Sequence, residues 1–556
     1  MSNQNQQTEN VLAQATILMV AGIITRIIGL LYRSPVTSII GDEGNGYYSI
    51  AVNIYAMVLL ISSYSIPLAV SKVVSARLAL KQYRNAHRVF RCALIYVLVV
   101  GGVASLLTFF GAGVLVGESQ LKAAPVLQVL APTIFLSGFL GVFRGYFQAH
   151  GTMVPTSVSQ IIEQIANAIV SIGAALLFIH LFARGDEVMR PVFGAMGSAA
   201  GIGAGVLVGL LFMLFIYRLN LSFFRKRQAR DRTVEVESYR QIFIIIFSMV
   251  TPVILATFIY NTSTIIDQTV YLRMMDHRGM AAEQAAIYYG VFSGKYWVLI
   301  NVPIALANSM STAMIPAVSS NYTLGNLEKC ADHVREAIQF VMLISIPAAV
   351  GIGVMAKPVM EVMFPQRETL SLAVMILRMG CISVVFYALS TVTNGVIQGI
   401  GKVSIPLRNA AISLVLHVAI LIVLLKETGM NLEALVIATM FYSLLMCILN
   451  NLAVRKYLHY RQEIKKTFMI PLLSALLMGV VCQTVYQAFY VLLIRLLGTM
   501  LPIRLLIFAA MMIAIAAAVV IYFILILKLN GVSEEELAGF PKGGVLVRIA
   551  KKYKLL

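Results

Sequence analysis

The sequence predicts an all-α integral membrane protein with about fourteen transmembrane helices, in two pseudo-symmetric six-helix lobes plus two extra C-terminal helices. The first observation behind this fold class is the composition. Of the 556 residues, 59% are apolar and only 12% are charged, an apolar share far above that of a soluble domain. The second is a set of long uncharged runs, such as 92–116 and 505–527, each sufficient to cross a ~30 Å hydrocarbon core as a helix. The runs are continuous rather than alternating, which indicates helices and not a barrel.

The third observation is an internal repeat. Three motifs recur in the same order: a tyrosine cluster, an Ile-Pro segment that ends in Ala-Val-Ser, and a Gly-x-x-Gln-x-x-Gly segment. The matched segments are 47–55 with 288–296, 66–71 with 315–319, and 145–151 with 395–401. Because the offsets fall between 241 and 250 residues, we infer two homologous halves. Such halves in an apolar chain are typical of a transporter with its substrate site between them.

Six predicted spans make up each repeat, and the last two lie outside it. The predicted spans are 13–40, 48–70, 92–116, 123–143, 154–182, 192–217, 242–272, 288–318, 337–360, 371–394, 407–425, 432–453, 468–494 and 505–527. Because six is even, both halves have the same orientation, with the pseudo-two-fold axis along the membrane normal. The expected regions are an N-terminal lobe at 1–217, a cytoplasmic linker at 218–241, a C-terminal lobe at 242–453, and spans 13 and 14 with a cytoplasmic tail at 454–556.

The charge distribution predicts the orientation. The net charge of +19 comes from basic clusters at 72–91, 218–240 and 455–466 and in the tail from 528. These clusters lie in alternate loops, as the positive-inside rule requires, so both termini are expected in the cytoplasm. The short segments 41–46 and 426–431 are expected outside. The clusters face anionic membrane lipids rather than nucleic acid, and we expect a multi-pass protein of the cell membrane.

Several chemical functions are excluded by the motifs. Gly401-Lys402 resembles a Walker motif, but Val396 and Val403 occupy the positions that require glycine and Ser or Thr. Without an ATP site, the energy source is a Na⁺ or H⁺ gradient, the membrane potential or the substrate gradient. The five cysteines are scattered, which indicates neither a metal site nor disulfides, and no loop is large enough for a catalytic domain. Gly197, Gly201, Gly205 and Gly209 share one helix face, which indicates helix packing.

Six ionisable residues fall inside predicted spans, where each charge costs roughly 2.5–3.5 kcal/mol at mid-bilayer. The four cations are Arg26, Arg33, Lys295 and Arg378, and the two acids are Glu163 and Asp267. One interpretation is structural ion pairing, Arg26 with Glu163 or Asp267 with Lys295. Because cations outnumber acids, the other interpretation is that unpaired cations face water or bind an anion. Arg33 and Arg378 have a third alternative, which is to extend to the outer interface.

Five segments carry a resemblance to a known group of membrane proteins: Thr25–Gly29, Gly41–Tyr48, Ile66–Lys72, Arg144–Gln148 and Ser159–Gln164. They resemble the stage V sporulation protein B branch of the multidrug/oligosaccharidyl-lipid/polysaccharide flippase superfamily. The resemblance implies a V-shaped two-lobe helical bundle that moves lipid-linked sugars across the cytoplasmic membrane. The MurJ-type lipid II flippases are close relatives, also with fourteen spans and with a cationic central cavity.

The resemblance also implies roles for particular residues. Arg26 matches the first-span arginine that is thought to meet the substrate pyrophosphate in the MurJ-type set. The second arginine of that set falls on Tyr32, with Arg33 one position away, and Lys295 is the best match for the eighth-span basic residue. The acidic residue near the start of the second span falls near Gly46.

Chemistry and resemblance together predict a flippase or exporter for an undecaprenyl-pyrophosphate-linked oligosaccharide or peptidoglycan precursor, working by alternating access. Arg26, Arg33, Lys295 and Arg378 are the predicted substrate-binding residues, and Glu163 and Asp267 serve in ion coupling or in structural ion pairs. The alternatives are a cation-coupled multidrug antiporter and a non-transporting membrane scaffold for cell-wall synthesis. We expect a monomer, no enzyme activity and no cofactor, with cell-wall or polysaccharide synthesis enzymes as candidate partners.

Overall fold

The computed structural model describes residues 2–63, 65–231, 236–534, 537 and 543–553, and these ranges contain helices but no strand. The prediction of an all-helical membrane protein is confirmed. Two compact units divide the chain, Met1–Gly290 and Val291–Leu556, called here the first and the second unit. The helices of the first unit are α1 Ser2–Ser62, α2 Ile66–Ala79, α3 Tyr83–Tyr96, α4 Gly102–Phe110, α5 Ala112–Val116, α6 Ala124–Ala149, α7 Val154–Phe182, α8 Arg190–Leu219, α9 Leu221–Ala229, α10 Tyr239–His277 and α11 Ala282–Gly290.

The second unit contains the remaining helices. They are α12 Trp297–Thr323, α13 Leu327–Val354, α14 Ala356–Met363, α15 Leu370–Gly380, α16 Ser383–Gly399, α17 Ser404–Glu427, α18 Leu432–Leu458, α19 Ile470–Leu497, α20 Ile503–Lys528 and α21 Gly543–Lys552. Its core is a cluster of fully buried side chains from α12, α13 and α16 that includes Val318, Val334, Ile338 and Val396. The two helices beyond the repeat, α19 and α20, pack on each other, and α19 also packs on α13.

Helix α1 is kinked rather than interrupted by a loop. Its 61 residues would extend roughly 90 Å if straight, about three times the thickness of a hydrocarbon core. The break falls at Gly41, with φ 72° and ψ −178°, and the helix continues directly afterwards. Only glycine takes this conformation without strain, so this single residue is enough to kink the helix. The expectation of a loop over 41–46 is therefore wrong.

The repeated Ile-Pro and Gly-x-x-Gln-x-x-Gly segments make the same kind of packing contact in both units. In the first unit, a Cβ on Gly145 of α6 would lie 2.5 Å from the carbonyl oxygen of Pro67 in α2. In the second unit the matching glycine, Gly395 of α16, lies against Ser311 of α12. Further along α16, a Cβ on Gly399 would lie 3.3 Å from the carbonyl oxygen of Ile315 in α12. In each unit the repeated segments therefore lie on two helices that pack closely at a glycine, but the contacts are not in the same register.

The last glycine of the repeated motif also ends its helix in the same way in both units. Gly151 has φ +80° and Gly401 has φ +78°. The following residue closes the turn, with Thr152 N–H donating to the Phe147 carbonyl at 3.4 Å and Lys402 N–H to the Ile397 carbonyl at 3.1 Å. This is a left-handed helix C-terminus, which glycine adopts without a Cβ penalty.

The glycines of α8 confirm the packing prediction. Gly197 lies against the backbone of Ala174 and Gly201 against Ser171, both on α7. A Cβ on Gly205 would lie 2.6 Å from the carbonyl oxygen of Glu163. The glycine face therefore allows α7 and α8 to pack backbone to backbone, and it leaves no room for a nucleotide.

The number of spans stays a prediction at fourteen. Within the described ranges, eleven helices are long and apolar enough to cross a membrane, or twelve if the α15–α16 pair, bent by 47°, counts as one span. One of the eleven, Val20–Ala79, is 60 residues long and covers the first two predicted spans. The predicted lobe and linker boundaries also stay predictions. The two compact units meet after Gly290, within predicted span 8 and not at the predicted linker.

Candidate functional site

Arg26 is exposed on α1, before the kink. One turn further along, a Cβ on Gly29 would lie 3.2 Å from Nε2 of Gln164, so α1 packs closely on α7 here. Among the described residues, no carboxylate forms an ion pair with Arg26. An exposed guanidinium offers several N–H donors to an anion.

Arg33 lies two turns from Arg26 and stacks on an aromatic ring. Its guanidinium carbon is 5.0 Å from the ring centroid of Tyr48, a buried residue in the part of α1 beyond the kink. The neighbouring Tyr32 hydroxyl accepts a hydrogen bond from Asn167 of α7 at 3.4 Å. Cation–π contacts contribute about 0.5–2 kcal/mol and leave the N–H edges of the guanidinium free for hydrogen bonds, so Arg33 is held in place and still able to donate.

Glu163 pairs with Arg144, not with Arg26. Arg144 Nη2 lies 2.6 Å from Glu163 Oε2, and the side chains are 15% and 27% exposed. Arg144 Nε also donates to the Ser159 hydroxyl at 2.9 Å, which fixes the guanidinium from two sides. Arg144 lies roughly 8 Å from the end of α6, and Glu163 lies roughly 14 Å from the start of α7. The hypothesis that Glu163 neutralises Arg26 is therefore wrong.

Arg144 is the residue that the sequence reasoning missed. The fourth span was predicted to end at 143, which placed Arg144 in a loop, whereas α6 continues to Ala149. A signal was present, since Arg144 immediately precedes the repeated glycine motif and an acid stands on the next helix. With Glu163 engaged by Arg144, neither Arg26 nor Arg33 forms an ion pair with any residue that the structure describes.

Asp267 belongs to a buried polar cluster that joins α1, α10 and α11. Its side chain is 5% exposed. Beside it, the Asn53 amide donates to Gln268 Oε1 at 2.9 Å and to the Tyr289 hydroxyl at 2.9 Å. Gln268 in turn donates to the Ile50 carbonyl at 3.4 Å. Burial of these groups indicates a structural contact, while the coupling role of Asp267 and its pairing with Lys295 stay predictions.

Lys295 lies in a π-helical turn, Val291–Tyr296, that precedes α12. Its side chain is only 1% exposed. Its Nζ donates to the Thr369 hydroxyl at 2.9 Å and lies 5.7 Å from the ring centroid of Phe364. In this conformation Lys295 is closed to a ligand, and its substrate-binding role stays a prediction.

Arg378 is exposed on α15 of the second unit and lines a cavity of about 520 Å³ between α13, α15 and α19. The four predicted cations therefore fall in pairs, with Arg26 and Arg33 in the first unit and Lys295 and Arg378 in the second.

Within the part of the chain that the structure describes, no group of three or more His, Cys, Asp or Glu residues has metal-site geometry.

Two family models match the chain. Residues 11–322 match a family described as polysaccharide biosynthesis protein. Residues 252–423 match a family described as MatE. The first match covers more than half of the chain, and both lie over the helices that carry the repeat.

Two curated relatives and one solved structure are similar along most of their length. The lipid II flippase MurJ of Bacillus subtilis (strain 168) is 25% identical over 488 residues, which are 84% of this chain and 87% of the relative. The stage V sporulation protein B of the same organism is 25% identical over 458 residues, 81% and 84% of the two chains. A lipid II flippase MurJ structure in an inward closed conformation matches with a TM-score of 0.66 at 14% identity, over 93% of this chain and all of that chain.

Proposed function

Because the chain belongs to the polysaccharide biosynthesis protein family, we propose that it is a flippase for an undecaprenyl-pyrophosphate-linked oligosaccharide or peptidoglycan precursor. It works in the cell membrane by alternating access, with both termini in the cytoplasm. The relatives named for lipid II and for sporulation support this substrate class. The observation that carries the proposal is a pair of cations in the first unit, Arg26 and Arg33, for which the described part of the chain provides no ion-pair partner.

The pyrophosphate is the part of the substrate that crosses a bilayer least readily without a protein. It is a compact anion that loses its hydration on entering a bilayer, and cationic hydrogen-bond donors replace that hydration. A guanidinium offers several N–H donors in a planar fork that matches phosphate oxygens. Arg26 is exposed and unpaired among the described residues, and Arg33 is oriented by Tyr48. These two residues receive the pyrophosphate, and the sugar needs only a hydrated path.

The membrane potential is a sufficient energy source for this direction of transport. Moving one charge across 100 mV is worth about 2.3 kcal/mol. The interior of a bacterial cell is negative, so outward movement of a pyrophosphate with about two negative charges is favoured by roughly 4–5 kcal/mol per 100 mV. No ion-coupling carboxylate is then required, and Glu163 serves to hold Arg144 in place.

The multidrug antiporter remains the second candidate, since the match to the MatE family covers α12 to α16 and most of α17 in the second unit. A cavity for cationic drugs requires free carboxylates. Among the two acids predicted inside spans, Glu163 is engaged by Arg144 and Asp267 is buried. The charge balance therefore favours an anionic substrate over a cationic one.

The test is transport by purified protein in sealed vesicles. Fluorescent lipid-linked sugars of defined structure are placed in the vesicle membrane, and the fraction in each leaflet is followed with a membrane-impermeant quencher. We expect faster exchange of at least one polyprenyl-pyrophosphate sugar than in protein-free vesicles, and no uptake of cationic dyes. Dye uptake driven by an ion gradient, without movement of any lipid-linked sugar, would instead identify an antiporter.

A further inference from the structure

A groove on the flank of the second unit combines an apolar wall with polar groups. It measures about 520 Å³ and is lined by residues of α13, α15 and α19. The apolar wall includes Leu476 and Val480, which are 52% and 66% exposed. In a membrane-spanning helix, such side chains face lipid. The volume is within the range of small-molecule sites, so the groove is large enough to hold part of a lipid.

Glycines bring the three helices of the groove close together. A Cβ on Gly479 of α19 would lie 2.9 Å from Val350 of α13. A Cβ on Gly353 of α13 would lie 3.0 Å from the sulfur of Cys381, next to α15. These close contacts make a rigid floor, so the groove is a feature of the helix packing and not of a mobile loop.

Polar side chains also line the groove. Arg378 is exposed, and among the described residues it forms no ion pair with a carboxylate. Gln483 is half-buried, whereas the Thr484 hydroxyl is already used, donating to the Val480 carbonyl at 2.9 Å. The groove thus offers a guanidinium and an amide to a bound molecule, together with an apolar wall that a hydrocarbon chain can cover.

Arg378 lies eight residues into α15, roughly 12 Å from the start of that helix. In the predicted topology this start is at the outer surface, which places Arg378 in the outer half of the bilayer. Leu476 and Val480 lie less than halfway along α19, which starts at the inner surface, so the apolar wall lies deeper than Arg378. A charge at the depth of Arg378 is costly unless water or an anionic group solvates it. Phospholipid phosphates are the most abundant anions that reach the flank of a helix bundle.

We propose that this groove binds one anionic glycerophospholipid of the outer leaflet. Its phosphate contacts Arg378, the Gln483 amide donates to the ester region, and one acyl chain lies along Val350, Leu476 and Val480. The site is separate from the proposed pyrophosphate site, since it uses neither Arg26 nor Arg33. It therefore holds whether or not the chain transports lipid-linked sugars.

Native mass spectrometry of the purified full chain with phosphatidylglycerol tests the proposal directly. Wild-type protein is expected to retain one phosphatidylglycerol at detergent concentrations that remove the others. Arg378→Gln should weaken this retention about tenfold, the loss expected for one charge-assisted hydrogen bond. Arg495→Gln, which removes an exposed arginine near the end of α19, one of the helices that line the groove, is the matched control and should retain the lipid.

A second variant keeps the proposal testable if Arg378→Gln folds poorly. Val480→Trp fills the exposed apolar wall and keeps the cation, and it should also displace the lipid. Equal retention by wild type and both variants would overturn the site, as would equal retention of phosphatidylcholine, which carries no net charge. Retention of undecaprenyl phosphate but not of phosphatidylglycerol would overturn the proposed occupant and assign the groove to the polyprenyl lipid.

Discussion

At the scale of single residues, the proposed function depends on which intramembrane charges have an ion-pair partner. Glu163 has a short contact to Arg144, whereas Arg26 is exposed and has no ion-pair partner among the described residues. A paired charge stabilises a helix contact, and an unpaired one in a membrane needs an anion or water. The two kinds of residue should therefore respond differently to substitution.

Arg26→Ala should abolish transport of the lipid-linked sugar while the protein still inserts and purifies normally. Arg26→Lys should retain part of the activity, because it keeps the charge but loses the planar fork that matches phosphate oxygens. The measurement is the vesicle flipping assay with matched protein amounts. Arg335→Ala, which removes an exposed arginine paired with Asp332, is the control. Normal flipping by Arg26→Ala would rule out its pyrophosphate role.

Glu163→Ala should reduce stability rather than act only on transport. It leaves the half-buried Arg144 without its carboxylate, for which we expect a loss of about 1–3 kcal/mol in the free energy of unfolding. Glu163→Gln can still accept a hydrogen bond and should lose less. Glu187→Ala, in an exposed pair with Arg190, should change little. Thermal unfolding in detergent gives the comparison. A Glu163→Gln protein of normal stability that no longer responds to an ion gradient would indicate coupling instead.

The sequence predicted which residues carry charge inside the membrane but not how they pair. Arg26, Glu163 and Asp267 were correctly expected on helices, because long apolar runs are unambiguous. Pairing depends on helix ends and rotation, which vary by a few residues in any sequence-based prediction. An error of six residues at the end of α6 was enough to hide Arg144 and to suggest the wrong partner for Glu163.

At the scale of helices, the repeated glycine motif is explained by close helix packing rather than by ligand binding. Gly145→Ala should destabilise the protein, since the new Cβ would lie 2.5 Å from the Pro67 carbonyl oxygen and overpacking costs about 1–3 kcal/mol. Gly173→Ala is the matched control, because nothing lies within 4 Å of its Cβ position, and in a helix alanine is favoured by up to about 1 kcal/mol. The two melting temperatures should therefore move in opposite directions. A Gly145→Ala protein as stable as wild type would contradict the assigned contact.

The kink in α1 shows where helix prediction reaches its limit. The polar run 41–46 has the composition of a loop, and it was predicted as one. The chain instead kinks at Gly41 alone, with φ 72°, and the polar residues that follow are helical. Asn45 is buried there and donates to the Gly290 carbonyl of α11 at 3.1 Å. A tertiary partner of this kind is invisible in a local pattern.

At the scale of the whole molecule, the orientation rests on the distribution of Lys and Arg. In a cysteine-free background, Leu80→Cys, at a position that is 69% exposed, should react only with reagents that reach the cytoplasm. Lys426→Cys, at the exposed end of α17, should react from the outside. The measurement is labelling of intact cells with an impermeant maleimide before and after permeabilisation. Labelling of Leu80→Cys in intact cells would reverse the predicted topology.

The proposed flippase recognises the transported group by its negative charge. The most direct measurement is a comparison, in the same vesicles, of three polyprenyl lipids that carry a pyrophosphate, a monophosphate or an uncharged link to the same sugar. We expect flipping rates that fall in that order in wild-type protein, and a much smaller difference among the three in Arg26→Ala. Equal rates for the charged and uncharged lipids in wild-type protein would contradict this recognition by charge.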